Sequence, residues 1–132
     1  MRAMIDLNVI LDIVQKRPAF FRESADACNA LAAKDCFISA HLVTTAFYLM
    51  RLHGTKAQNA TVDFILENFT VVPCDRKLLA AARTLGGFTD YEDAVVAAAA
   101  QRAKCAYIIT RNTGDFANSP VPAVTPGEFL AL

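Results

Sequence analysis

No excess charge of either sign marks this 132-residue sequence, in which 13 acidic side chains balance 13 basic ones. A global basic field is therefore excluded, and any grip on nucleic acid must be local, metal-assisted or partner-assisted. Cysteine is sparse and scattered. Cys28, Cys36, Cys74 and Cys105 form no C-x-x-C pair and have no histidine at zinc spacing, so they read as buried reduced thiols. The two histidines, His41 and His53, lie far apart and near no cluster of ligands; each reads as a surface or helix-end residue. Long apolar runs are missing too, because Asp, Arg or Lys interrupts each one short of a membrane span. The N-terminus runs directly into a strand pattern and leaves no room for a cleavable leader, so a cytoplasmic protein without a membrane partner is expected.

What the sequence does have is apolar content. Hydrophobic residues make up 55% and charged residues 20%, the balance of a well-buried domain, and the length suits one domain spanning 1–132. Ile5, Leu7 and Val9 alternate as a short strand, with helical spacing taking over from Val9 to Val14. Pro18 fits the first turn of a second helix that runs to about Ala33, with Phe21, Ala25, Cys28 and Leu31 along one stripe. "DCFIS" is a second strand, and Ser39 is placed to cap "AHLVTTAFYLMRLH", a helix ended by Gly54. Thr55 caps another helix to about Asn68, and "FTVVPCD" is a strand that Pro73 terminates.

The second half continues the alternation. Asp75 caps "RKLLAAARTL", which Gly86 and Gly87 end. Thr89 and Glu92 stand in the relation of a capping box at the head of "TDYEDAVVAAAAQRA". "CAYIIT" is a fourth strand, "RNTGDFANS" a polar loop, "VPAV" a last short strand, and "TPGEFLAL" the start of a short helix with Pro126 in its first turn. Strands alternating with helices predict an α/β fold, a parallel sheet covered on both faces. Such sheets place their sites beyond the C-terminal ends of the strands.

Three acidic stretches satisfy that rule or adjoin it. Asp6 ends strand one, Asp115 lies in the loop leaving the fourth strand, and Asp90 and Asp93 share a face in the first turns of a helix. Each has a plainer reading. Asp90 and Glu92 serve capping and the helix dipole, Asp115 caps a turn, and Asp6 binds backbone donors. If Asp6, Asp93 and Asp115 converge, their repulsion demands a cation between them. Carboxylates without His or Cys suit Mg²⁺ or Mn²⁺, and such ions bind phosphate oxygens, which points to metal-assisted phosphodiester hydrolysis.

Four segments, in order, resemble PIN domains. "MIDLNVILDIV" resembles their opening strand, D-x-N and apolar helix; "EDAVVAAAA" is similar to their D-A-x-x-A-A helix; "YIITRNTGDF" is similar to their strand and T-R-N-x-x-D-F; "SPVPAVTPGEFL" resembles the last strand and T-P-x-E-F. The resemblance runs from Met4 to Leu130. It implies a three-layer sandwich with a central parallel sheet of four to five short strands flanked by helices. It also implies a Mg²⁺- or Mn²⁺-dependent endoribonuclease, commonly a homodimer. Many small members are VapC-type toxins neutralised by a cognate antitoxin.

Carried over by residue, Asp6, Asp93 and Asp115 are the catalytic, metal-holding acids, and Asp90 stands close enough to join them. Asn8 is the polar companion of Asp6, and Asn112 occupies a place where some members have a further Asp. Arg111 either touches a flanking phosphate of the RNA or is a solvated loop arginine. One departure stands out: counting from Ser39, the place of a family acid falls on Thr45, with Thr44 beside it. A hydroxyl can orient a metal-bound water but brings no charge. Two other readings therefore stay open. One is a catalytically weakened PIN-like domain that binds RNA or protein; the other is phosphoryl transfer through an aspartyl nucleophile, for which the only late lysine, Lys104, is poorly placed. The aromatic residues Phe20, Phe21, Phe47, Tyr48 and Phe64 serve the core, a dimer interface or an antitoxin.

Overall fold

The computed structural model describes residues 1–132. Its centre is a five-stranded, wholly parallel sheet of β1 (Ala3–Ile5), β2 (Cys36–Ser39), β3 (Thr70–Val72), β4 (Tyr107–Ile109) and β5 (Ala123–Val124), in the order β3-β2-β1-β4-β5. Met4 pairs with Phe37 on one side and Ile108 on the other, so β1 is central and takes bonds from both neighbours. Ala3, Met4, Ile5, Ile38, Ile108 and Ile109 are fully buried, the mark of a parallel sheet covered on both faces. Each buried Met or Ile among them stabilises the fold by about 1.5–3 kcal/mol.

The chain steps outward from β1 to β3, then returns to the other side of β1 to lay down β4 and β5. The order therefore reverses between β1 and β4, and the crevice beyond their C-terminal ends is the topological switch point.

Seven helices cover the sheet: α1 (Leu7–Val14), α2 (Phe21–Asn29), α3 (Ala40–Leu49), α4 (Thr55–Asn68), α5 (Arg76–Thr84), α6 (Tyr91–Arg102) and α7 (Pro126–Leu130). In α6 every residue from Ala94 to Ala100 is buried. The helix packs against both the sheet and α5, and small alanine side chains permit that close approach on all sides. Enlarging Ala97 to Leu would overfill this layer and cost about 1–3 kcal/mol. No helix is long and apolar enough to cross a membrane.

Several element boundaries differ from the sequence expectation, each for a local reason. Helix α1 begins at Leu7, because Asp6 takes the N-cap position; Leu7 and Val9 are helical, and only Ala3 to Ile5 form strand. Pro18 lies in the turn ahead of α2, whose deeply buried residues are Ser24 and Ala27; Phe21, Ala25, Cys28 and Leu31 are half-buried. Helix α3 stops at Leu49, and a short 3-10 turn, Arg51–His53, leads to Gly54 at φ +91°, which takes the N-cap position of α4 in place of Thr55. The Ser39 hydroxyl pairs with its neighbour His41 and caps nothing. At α6 the cap is Asp90, whose side chain accepts from the Glu92 amide at 2.8 Å, so Thr89 and Glu92 form no capping box. A true capping box opens α7, between Thr125 and Glu128. All four cysteines are free; Cys36 and Cys105 are buried, Cys28 and Cys74 partly so.

Candidate active site

Asp6 sits where β1 ends, with only 8% of its surface exposed. One carboxylate oxygen accepts from the Leu7 amide at 2.8 Å. The other accepts from the Thr110 hydroxyl at 2.8 Å and from the Asn8 side-chain amide at 3.4 Å. Thr110 follows β4, so this bond ties together the two strand ends that border the switch point. Asn8 Nδ2 also donates to Thr110 Oγ1 at 3.2 Å, and Asn8 Oδ1 accepts from the Arg111 amide at 3.2 Å. Burial pushes the Asp6 carboxyl up; the bonds from Thr110 and Leu7 oppose that shift, and the charges of Glu92 and Asp115 add to it.

The first turn of α6 brings three more acids. Asp90 is exposed at the N-cap, Glu92 is exposed, and Asp93 is half-buried. The Asp93 carboxyl is pushed up to about 7, first by burial and then by the charges of Asp90, Asp6, Asp115 and Glu92. Asp115 comes from a 3-10 turn, Thr113–Phe116, that opens with an Asp115 N–H bond to the Asn112 carbonyl at 3.0 Å. Phe116 anchors the turn: it is buried and meets Phe88 edge-on, ring centres 6.2 Å apart. Asn112 is exposed, and its amide donates to Thr110 Oγ1 at 3.1 Å.

Glu92 was explained in the sequence by helix capping alone, yet it belongs to this group of acids. Its Oε2 accepts from Thr45 Oγ1 at 3.1 Å, while its carbonyl meets His41 Nε2 at 3.2 Å. A carbonyl has no proton to give, so His41 Nε2 carries the hydrogen. In the neutral ring Nδ1 then accepts from the Ser39 hydroxyl at 2.7 Å. Burial holds the His41 pKa below its ordinary value, which favours that neutral form. His41 and Thr45, one turn apart on α3, thus hold the backbone and the side chain of Glu92. Thr44 only bonds back to the His41 carbonyl, at 3.1 Å.

Arg111 is committed elsewhere. Its Nε and Nη2 reach the carboxylate of Asp12 at 2.7 and 3.2 Å, and its guanidinium lies 4.1 Å from the centre of the Phe20 ring. Asp12 has no exposed surface and is also held by Arg17 at 3.2 Å and Ser24 at 3.2 Å. No sequence pattern pointed to Asp12.

The structure therefore gathers carboxylates from β1, α6 and the 3-10 turn at one end of the sheet, where the charges of Asp115 and Glu92 raise the proton affinity of both Asp6 and Asp93. The chain's four ion pairs all lie elsewhere, on Asp12, Asp35 and Asp75. No three acidic, histidine or cysteine side chains close into a ready metal cage. The donor set nonetheless suits Mg²⁺ or Mn²⁺: it is all oxygen, no cation of the chain pairs with it, and such an ion keeps waters in its shell that can bridge to carboxylates it does not touch directly. None of these acids lines one of the fold's cavities. Lys104 precedes β4 and so stands at the opposite end of the sheet from Asp6, too far along the strands to serve an aspartyl nucleophile.

With this architecture the chain belongs to the PIN domain family, whose model matches residues 2–114. Among solved structures, FitAB bound to an IR36 DNA fragment is 25% identical, with a TM-score of 0.74 over 94% of each chain. A toxin-antitoxin complex from Klebsiella pneumoniae is 24% identical, with a TM-score of 0.73 over 94% of this chain and 97% of that one. The Mycobacterium tuberculosis VapC20, a sarcin-ricin loop cleaving toxin, is 15% identical, with a TM-score of 0.68 over 80% and 86%. No curated protein matches the chain by sequence.

Proposed function

We propose that this protein is a metal-dependent endoribonuclease of the PIN/VapC type, the toxin of a toxin-antitoxin pair acting in the cytoplasm. The reading is carried by one observation: buried and half-buried carboxylates, Asp6 and Asp93, share the switch point with Asp115, Asp90 and Glu92, and no cation of the chain pairs with them. A bound Mg²⁺ or Mn²⁺ would neutralise the site, polarise a scissile phosphate and activate water. Asp6, Asp93 and Asp115 would hold that ion, with Asp90 beside them. Thr110 and Asn8 hold the Asp6 carboxylate in place between the two strand ends, and Thr45 holds that of Glu92.

The likeness to toxins crystallised in toxin-antitoxin complexes supports an antitoxin partner, and the likeness to a loop-cleaving toxin supports RNA as substrate. Phe47, Tyr48, Leu49 and Leu52 are exposed at the end of α3, an apolar strip suited to a second copy or an antitoxin segment.

Purified protein with Mg²⁺ or Mn²⁺ is expected to cleave RNA, and Asp6→Asn or Asp93→Asn to abolish the cleavage. Wild-type protein that leaves varied RNAs intact with both metals would instead favour the binding-module reading.

A further inference from the structure

Asp12 is an ionisable side chain with no exposed surface, and burying a charge is unfavourable unless it is fully paired. Its partners come from three separate parts of the chain: Arg17 in the turn after α1, Ser24 in α2, and Arg111 just beyond β4. Replacing such a network with apolar residues of similar volume is often neutral or stabilising. What the ion pair supplies is placement.

The placement is specific. Asn8 and Asp12 stand at i and i+4 on α1, so one face of that helix grips residue 111 twice. Asp12 takes the guanidinium in a two-pronged bond, 2.7 and 3.2 Å, and Asn8 Oδ1 accepts the backbone N–H at 3.2 Å. Two attachments fix the turn in both position and rotation. The residue immediately before, Thr110, gives its hydroxyl to Asp6 at 2.8 Å, and the residue after, Asn112, accepts the Asp115 amide at 3.0 Å. Displacement at Arg111 would therefore be felt at both acids.

We propose that Asp12 and Arg111 are positioning residues of the carboxylate site: their buried ion pair seats the Thr110–Asn112 turn on α1, and the Thr110 hydroxyl passes that placement to Asp6. The idea rests on the nuclease reading above for its kinetic consequence, although its structural consequence does not.

Arg111→Lys keeps the charge but loses the planar fork, and Asp12→Asn keeps the shape but loses the charge. Either folded variant should show backbone-amide exchange at residue 111 about tenfold faster in metal-free protein, and Mn²⁺ affinity about tenfold weaker. For RNA cleavage, kcat should fall about 10- to 100-fold with KM little changed. In a Thr110→Val background, Arg111→Lys should add almost nothing, because both act through one link. If Asp12→Asn fails to fold, Arg111→Lys alone decides.

Unchanged amide protection at 111 with unchanged Mn²⁺ affinity would overturn the proposal. So would a rise in KM with a weaker salt dependence, which would mean that the guanidinium touches an RNA phosphate, and so would independent, multiplying effects of the two substitutions. A wild type that cleaves no RNA defeats the nuclease reading alone, and the exchange and Mn²⁺ measurements still decide this one.

Discussion

Thr45 on α3 donates its hydroxyl to the carboxylate of Glu92 on α6 at 3.1 Å. A carboxylate from α6 thus lies beside the place on α3 where the family resemblance expects an acid and the sequence offers only a hydroxyl. Glu92→Gln should weaken Mn²⁺ binding and slow RNA cleavage by about tenfold, with Thr45→Val producing a smaller loss of the same kind. Isothermal titration with Mn²⁺ would read it, and equal affinity in wild type and Glu92→Gln would remove Glu92 from the site.

The charge on Asp93 makes the metal-free protein sensitive to pH. Its folded pKa of about 7 lies above the ordinary 3.8, so between those values the folded state holds a proton that the unfolded chain has released. The associated stability is full below about pH 3.8 and is lost as pH rises through 7. Asp6, also shifted up, acts in the same direction, while His41, shifted down, acts in the opposite one. Asp93→Asn isolates the effect. In chelator at pH 8 it should raise the melting temperature by a few degrees, about 1 kcal/mol after solvent screening, and flatten the fall between pH 5 and 8. A variant that melts lower than wild type at pH 8 contradicts this.

Divalent metal should reverse that penalty. An ion bound only by the folded state at about 100 times its dissociation constant stabilises by about 2.7 kcal/mol. Thermal melts should therefore rise with millimolar Mn²⁺ or Mg²⁺, fall back with EDTA, and rise far less in Asp6→Asn. A wild type indifferent to both ions would argue against a cation among these acids.

The Thr110 hydroxyl satisfies a carboxylate oxygen that is nearly buried. Thr110→Val keeps the shape and removes the donor, so it should destabilise by about 1–3 kcal/mol above pH 7. Urea unfolding at pH 8 measures it, and no loss would mean that water replaces the hydroxyl.

Where these acids lie in the fold was legible because they stand at positions with local meaning. Asp6 ends a run of apolar residues, Asp93 directly precedes the buried alanines of α6, and Asp115 follows a strand and precedes an anchoring Phe116. Glu92 was obscured by a local pattern that looked sufficient: Thr89 and Glu92 have capping-box spacing, but Asp90 caps the helix and leaves the Glu92 side chain to reach Thr45. The alternation Ile5, Leu7, Val9 mimicked a longer strand for a related reason, since a capping Asp6 starts the helix two residues sooner than the apolar period suggests. Asp12 could not be found this way. Its meaning comes from Arg111, 99 residues away, and no pattern within α1 announces that pairing. The sheet itself was readable from alternating strands and helices, whereas the order that puts β1 beside β4 is a property of long-range pairing.

Anomalous diffraction from crystals grown with Mn²⁺ tests the shared-cation claim most directly. A peak is expected at the C-terminal ends of β1 and β4, within ligating reach of Asp6 and Asp93 and lost in Asp93→Asn. A Mn²⁺-saturated crystal with no peak there, or with its ion bound at another face, would contradict it.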